Sequence, residues 1–189
     1  MLGPQGAGKG TQAQRIAAEF GIPHISTGDM FRAAIAAQTP LGRRVQPILA
    51  RGELVPDALT VELIGERLSE ADAADGFVLD GFPRNLEQAA ALDDLLERVG
   101  RNLDAILFFD LADDIAVERL TRRAGLENRA DDTPEVIQRR LRIYHEETEP
   151  VVEHYRTTGR LVPLHASREI AEVWAETQAA LEQLRRTPA

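Results

Sequence analysis

The 189-residue chain is 43% hydrophobic and 28% charged, contains no cysteine and carries a formal net charge of −9. This composition excludes global disorder, disulfides, thiolate catalysis and cysteine-based zinc sites, and the acidic balance argues against a nucleic-acid-binding face. No apolar run approaches the roughly 18 residues of a membrane span and no signal-peptide pattern opens the chain, so one globular cytoplasmic domain with no membrane contact is expected.

Helical and strand-like patterns alternate along the chain. Residues 9–20 read as a helix with Ile16, Ala17 and Phe20 on one face and Gly21 past its end, and 22–25 as a short strand. Short helices over 29–37 and 41–50 follow, then a helix behind Pro56-Asp57 that carries Leu59, Leu63, Ile64 and Leu68. Phe77-Val78-Leu79 is a buried strand ending at Asp80, 86–98 a helix closed by Gly100, and 105–109 another buried strand. A helix over 115–123 leads into an irregular polar stretch, 124–132. Thr133-Pro134 then caps a long helix that Pro150 should kink or break. A strand over 161–164 and a helix over 170–184 close the chain. The order implies an α/β fold with a parallel sheet covered on both faces and a ligand beyond the carboxyl ends of its strands.

Of 22 basic residues, only Lys9 is lysine. Gene composition could make arginine the default cation, but the one lysine lies in Gly3-Pro4-Gln5-Gly6-Ala7-Gly8-Lys9-Gly10-Thr11, which has the G-x-x-x-x-G-K spacing of a phosphate loop. Glycines turn successive backbone N–H groups around phosphate oxygens, and the following helix N-terminus adds its dipole. Lys9 would reach the β- and γ-phosphates; Gly10 follows it directly, so the hydroxyl near the metal falls to Thr11. Such loops hang from a buried strand, yet only Met1 and Leu2 precede Gly3. The expectation is a first strand shortened at its N-terminus, with two neighbouring strand edges left open at about 1–3 kcal/mol per unpaired buried group.

Three segments point further: Gly6-Ala7-Gly8-Lys9-Gly10-Thr11-Gln12, Ser26-Thr27-Gly28-Asp29-Met30-Phe31-Arg32, and Leu79-Asp80-Gly81-Phe82-Pro83-Arg84 with Gln88 one turn on. Together they resemble the nucleoside monophosphate kinases, adenylate kinases most closely, over nearly the whole chain. The resemblance implies one three-layer P-loop domain, 1–189, with an AMP-binding flap over 26–55 and a lid over 122–132. The implied reaction is Mg-dependent transfer of the γ-phosphoryl group of ATP to AMP, giving two ADP. Gly6, Ala7, Gly8, Lys9, Gly10, Thr11, Arg119, Arg123 and Ala166 are implied on the ATP side. Thr27, Arg32, the backbone of Glu53, Leu54 and Val55, Gly81, Phe82, Pro83, Arg84, Gln88, Arg129 and Arg140 are implied on the AMP side. Lys9, Arg84, Arg123, Arg129 and Arg140 would carry the transfer, with Arg122 and Arg139 as adjacent alternatives. Asp80 would hold Mg²⁺ through water, with Thr11 nearby.

Gln88, with two donors and an acceptor, suits an adenine edge. Thr27 favours AMP over UMP or CMP, where such kinases more often carry alanine. Residues 124–128 look like a small insertion in a short, zinc-free lid. A UMP/CMP kinase and a catalytically weak nucleotide-binding module remain the alternatives, and a monomer suffices for all of them. His24, His145, His154 and His165 show neither metal-ligand spacing nor a nucleophile partner, and His145 with Glu149 reads as a surface pair.

Overall fold

The structure, a computed structural model, describes residues 1–127 and 133–186. Its elements in chain order are α1 (Lys9–Phe20), β1 (His24–Ser26), α2 (Thr27–Ala36), α3 (Pro40–Ala50), α4 (Asp57–Leu68), a 3₁₀ turn (Ala71–Ala73), β2 (Val78–Asp80) and α5 (Leu86–Arg98). They continue with β3 (Ile106–Asp110), α6 (Asp113–Glu127), α7 (Pro134–Ile143), a π-turn (Tyr144–Thr148), α8 (Glu149–Arg156), β4 (Leu161–His165) and α9 (Ile170–Arg186).

Local chemistry sets most boundaries. Gly21 ends α1 in the left-handed conformation with its N–H on Ala17 O. Ser26, Thr39, Asn85 and Thr133 each cap the helix that follows by accepting from a backbone N–H of its first turn. Three expectations are corrected. The first strand begins at His24 rather than residue 22, because pairing starts where the Pro23 carbonyl accepts from Val78 N. The helix expected over 115–123 runs from Asp113 to Glu127, so Ala124–Glu127 is helical rather than irregular; Ala, Leu and Glu are strong helix formers. The break expected at Pro150 falls before it: the wide turn over Tyr144–Thr148 takes up the misfit, and Pro150 sits in the first turn of α8, where its missing N–H is tolerated.

The strands pair in parallel. β1 lies beside β2 with Ser26 opposite Asp80, and β3 beside β4 with Phe108 opposite Pro163. Leu2 stands between the two pairs. Its N–H donates to Leu107 O at 2.8 Å, Phe109 N donates to Leu2 O at 2.9 Å, and the Met1 amine donates to Leu79 O at 2.8 Å. Beyond Leu2, a cavity of about 360 Å³ separates β2 from β3, lined by Ile16, Phe77, Leu79, Leu107 and Tyr155 among others. The N–H groups of Leu79 and Leu107 lie on the edges that face Met1 and Leu2, because a strand residue presents its N–H and C=O to the same side.

Phe109, Ala116, Leu120 and Ile137 centre the largest core, between the sheet and α6 and α7. Ile25, Ile64, Phe82 and Leu92 form a second core on the other half. Phe31, Val45 and Val55 close a third cluster that joins α2 and α3 to α4. Here α2 and α3 meet at Gly42, where a Cβ would lie 2.1 Å from Ala34 O. Backbone on both sides leaves no soft atom to yield. Gly42→Ala should therefore lower stability by about 1–3 kcal/mol, read as a drop in the midpoint of chemical unfolding.

Candidate active site

The loop from Gly3 to Gly8 joins the sheet to α1. Gly6 and Gly8 hold φ of 85° and 82°, a conformation that side chains resist, and a Cβ on Gly3 would lie 2.5 Å from Phe109 O. Glycine at these positions lets the backbone turn tightly and press against the end of β3. Lys9 opens α1, and its ammonium reaches back across the loop to Gly3 O at 2.7 Å and Pro4 O at 2.8 Å. Burial lowers the Lys9 pKa to about 8, with Asp80 opposing and Arg84 and Arg123 adding to the shift.

Asp80 ends β2 opposite the loop, its side chain only 14% exposed. Burial works against its charged form, but hydrogen bonding from His24 and the charge of Lys9 hold its pKa down at about 2. His24 Nε2 stands 3.5 Å from Asp80 Oδ2, at the outer limit of a hydrogen bond, and makes no closer one. An ionised, secluded carboxylate, an imidazole nitrogen still short of a full partner and the exposed Thr11 hydroxyl suit a hydrated divalent cation. Among the described residues, no group of three or more His, Cys, Asp or Glu could hold a metal ion.

A cleft of about 790 Å³ opens beyond the carboxyl ends of the strands. The loop residues Gly6 to Thr11, Asp80, Arg32, Arg84, Arg119, Arg122, Arg123 and Arg140 all line it. Arg84 is fixed by Nε donating to Gly81 O at 2.7 Å and by Thr148 Oγ1 donating to Arg84 O at 2.7 Å. Burial lowers the Arg84 pKa; Asp80 counters this, while Arg140 and Arg32 deepen it. Arg119 donates to Ala166 O at 2.7 Å and Ser167 O at 3.1 Å, which joins the two outlying positions expected on the ATP side.

On the other side, Thr27 Oγ1 donates to Gly81 O at 2.8 Å, and Arg32 pairs with Asp29 at 2.6 Å. Glu53, Leu54, Gly81 and Pro83 reach the cleft, whereas Val55 and Phe82 are core residues behind it. The structure separates the adjacent arginines: Arg140 lines the cleft, while Arg139 pairs with Glu53 at 3.1 Å. Arg122 and Arg123 both line it. Arg129 and the rest of the expected lid over 128–132 lie outside the described residues. Gln88 is 2% exposed and sits behind the wall, its Oε1 accepting from Arg84 N at 2.8 Å and its Nε2 donating to Asp57 at 2.7 Å.

Two groups at this site escape a reading of the sequence. His24 reaches Asp80 only through the β1–β2 register, and Asp57 looks like a helix-start residue until α4 and α5 are seen together. His145 bridges Glu149 at 3.0 Å and Asp113 at 2.9 Å on the surface, a wider pairing than its helical spacing implies.

A phosphate loop, a carboxylate at the neighbouring strand end and converging arginines define a P-loop phosphotransferase. The family model described as adenylate kinase matches residues 1–160. Adenylate kinases of Cyanothece sp., Xanthomonas euvesicatoria pv. vesicatoria and Stenotrophomonas maltophilia (strain R551-3) are 47%, 46% and 44% identical to this chain. The alignments cover 98%, 96% and 96% of this chain and 95%, 97% and 97% of those proteins. The chain belongs to the adenylate kinase family.

The Lys9 pKa carries a signed prediction. The folded value of about 8 lies below the ordinary 10.5, so the unfolded chain binds more protons between those values and stability rises with pH across that window. A polyphosphate on Lys9 restores the ammonium. Nucleotide binding at pH 9 should therefore take up close to one proton, measured as a buffer-dependent heat in calorimetry; Lys9→Met should show no such uptake.

Proposed function

We propose that this cleft transfers the γ-phosphoryl group of ATP to AMP through Lys9, Arg84, Arg123, Arg129 and Arg140. The observation that carries the reading is the convergence of Lys9, Arg84, Arg123 and Arg140 on one cleft beside an ionised Asp80. Two polyanions that repel each other in water need such a set of cations to be held end to end.

An oxygen of the AMP phosphate attacks the γ-phosphorus. The new P–O bond forms as the bond from the γ-phosphorus to the β–γ bridging oxygen breaks, and the electron pair stays on the β-phosphate of the departing ADP. The nucleophile is already an anion, so no general base is required. The loop backbone and Lys9 cradle the β- and γ-phosphates, with Arg119, Arg123 and Ala166 on the same side. Arg84, Arg32 and Arg140 hold the AMP phosphate, with Thr27, Glu53, Leu54, Gly81, Pro83 and Gln88 around its nucleoside. Asp80, through water, with Thr11 nearby, would hold Mg²⁺, which would supply neutralising charge to the transferring phosphoryl group. Segments 26–55 and 122–132 act as flap and lid whose closure excludes water. In this reading the protein works as a cytoplasmic monomer on ATP and AMP, without zinc.

Parallel assays with AMP, CMP and UMP test the reading. ADP formation with AMP should exceed that with the pyrimidine nucleotides at least tenfold in kcat/KM, the scale of a built base site. Arg84→Ala and Arg123→Ala should each lower kcat about 10²–10³-fold, the loss usual for one preorganised donor, with folding intact by circular dichroism. Equal turnover of all three acceptors would overturn the AMP assignment.

A further inference from the structure

Asp57 lies on α4, Asn85 and Gln88 at the start of α5, and the three side chains form one network. Asn85 Oδ1 accepts from Gln88 N at 2.9 Å, and Asn85 Nδ2 donates to both Asp57 oxygens at 3.0 and 3.1 Å. Asp57 Oδ1 also accepts from Gln88 Nε2 at 2.7 Å, while Gln88 Oε1 accepts from Arg84 N at 2.8 Å.

A carboxylate can only accept and a backbone N–H can only donate. A 180° turn of the Gln88 amide would set its oxygen against the Asp57 carboxylate and its NH₂ against the Arg84 N–H. Both ends thus reject the turned amide, and the orientation is fixed by charge rather than by shape. Each contact uses only one valence of its atom, leaving Nε2 with a second hydrogen and Oε1 with a second lone pair.

We propose that Asp57 is a positioning residue that sets acceptor-base specificity by locking the Gln88 amide in this orientation. The inference rests on the reading that the acceptor base, once bound, reaches past the wall to Gln88, which is 2% exposed here. With the lock in place, Gln88 offers a donor from Nε2 and an acceptor at Oε1 in fixed order. A 6-aminopurine matches that order, because its ring N1 accepts and its 6-amino group donates. A 6-oxopurine presents N1–H and a carbonyl in the same places, which sets donor against donor and acceptor against acceptor. A free amide would turn over to suit either base; one held by Asp57 does not.

The test compares AMP with IMP, which differ in this edge alone, in the unmodified protein, Asp57→Asn and Gln88→Ala. Asparagine keeps the shape of Asp57 but can present either NH₂ or oxygen, so the lock is lost while packing is kept. The AMP-to-IMP ratio of kcat/KM should fall about tenfold or more in Asp57→Asn, the scale on which mismatched polar groups discriminate, through a higher KM for AMP and a lower KM for IMP. A loss that strikes both acceptors equally shows a packing role only and overturns the proposal. An unchanged ratio in Asp57→Asn, with AMP preference lost in Gln88→Ala, overturns the lock and leaves the reading of the cleft standing. An unchanged ratio in Gln88→Ala removes Gln88 from the base and overturns both. Should Asp57→Asn fail to fold, NMR of the unmodified protein decides: the Gln88 side-chain amide must give one pair of slowly exchanging protons, and rapid exchange contradicts the lock.

Discussion

Everything about this site depends on holding several cations close together around one buried carboxylate. Lys9, Arg32, Arg84, Arg119, Arg122, Arg123 and Arg140 line one cleft. Asp80, the carboxylate set deepest among them, is kept ionised by the Lys9 ammonium and by His24 despite its burial. The strain is visible in the basic groups themselves. Burial depresses the pKa of both Lys9 and Arg84, and each is lowered further by cationic neighbours. Phosphate oxygens are the natural counter-charge, and a catalyst that moves a phosphoryl group between two phosphate-bearing substrates needs its field set before they arrive.

The fold supplies what holds these groups in place. Parallel strands end together, so the loop before α1 and Asp80 at the end of β2 face one opening. Glycine at 3, 6 and 8 lets the loop turn and press onto β3. Arg84 is tied by Gly81 and by Thr148 in the π-turn, so the irregularity ahead of Pro150 helps to place a cleft arginine. Arg139 meanwhile pairs with Glu53, tying α7 to the segment over 26–55.

Much of this was legible in the amino-acid order. The phosphate loop, the strand ending at Asp80 and the Gly81–Arg84 segment lie within a few residues of each other in the chain, so local spacing reveals them. The α5 helix was also readable, because Gly100 closes it in the left-handed conformation. What could not be read depends on contacts between distant segments. Arg139 and Arg140 are adjacent in sequence, and only the packing of α7 sends one to Glu53 and the other to the cleft. His24 gained its place beside Asp80 from strand register, and Asp57 its hold on Gln88 from the meeting of α4 and α5. The helical run through Ala124–Glu127 is hidden in the sequence by Gly125 and the polar residues after it, although Ala, Leu and Glu favour helix.

Thermal unfolding under increasing inorganic tripolyphosphate, against sodium chloride at matched ionic strength, tests the clustering of cations in this cleft most directly. A polyanion that binds the folded cleft and not the unfolded chain should raise the melting temperature in a saturable way, by an amount that chloride does not reproduce. A melting temperature that follows ionic strength alone, with no difference between the two salts, would contradict the account.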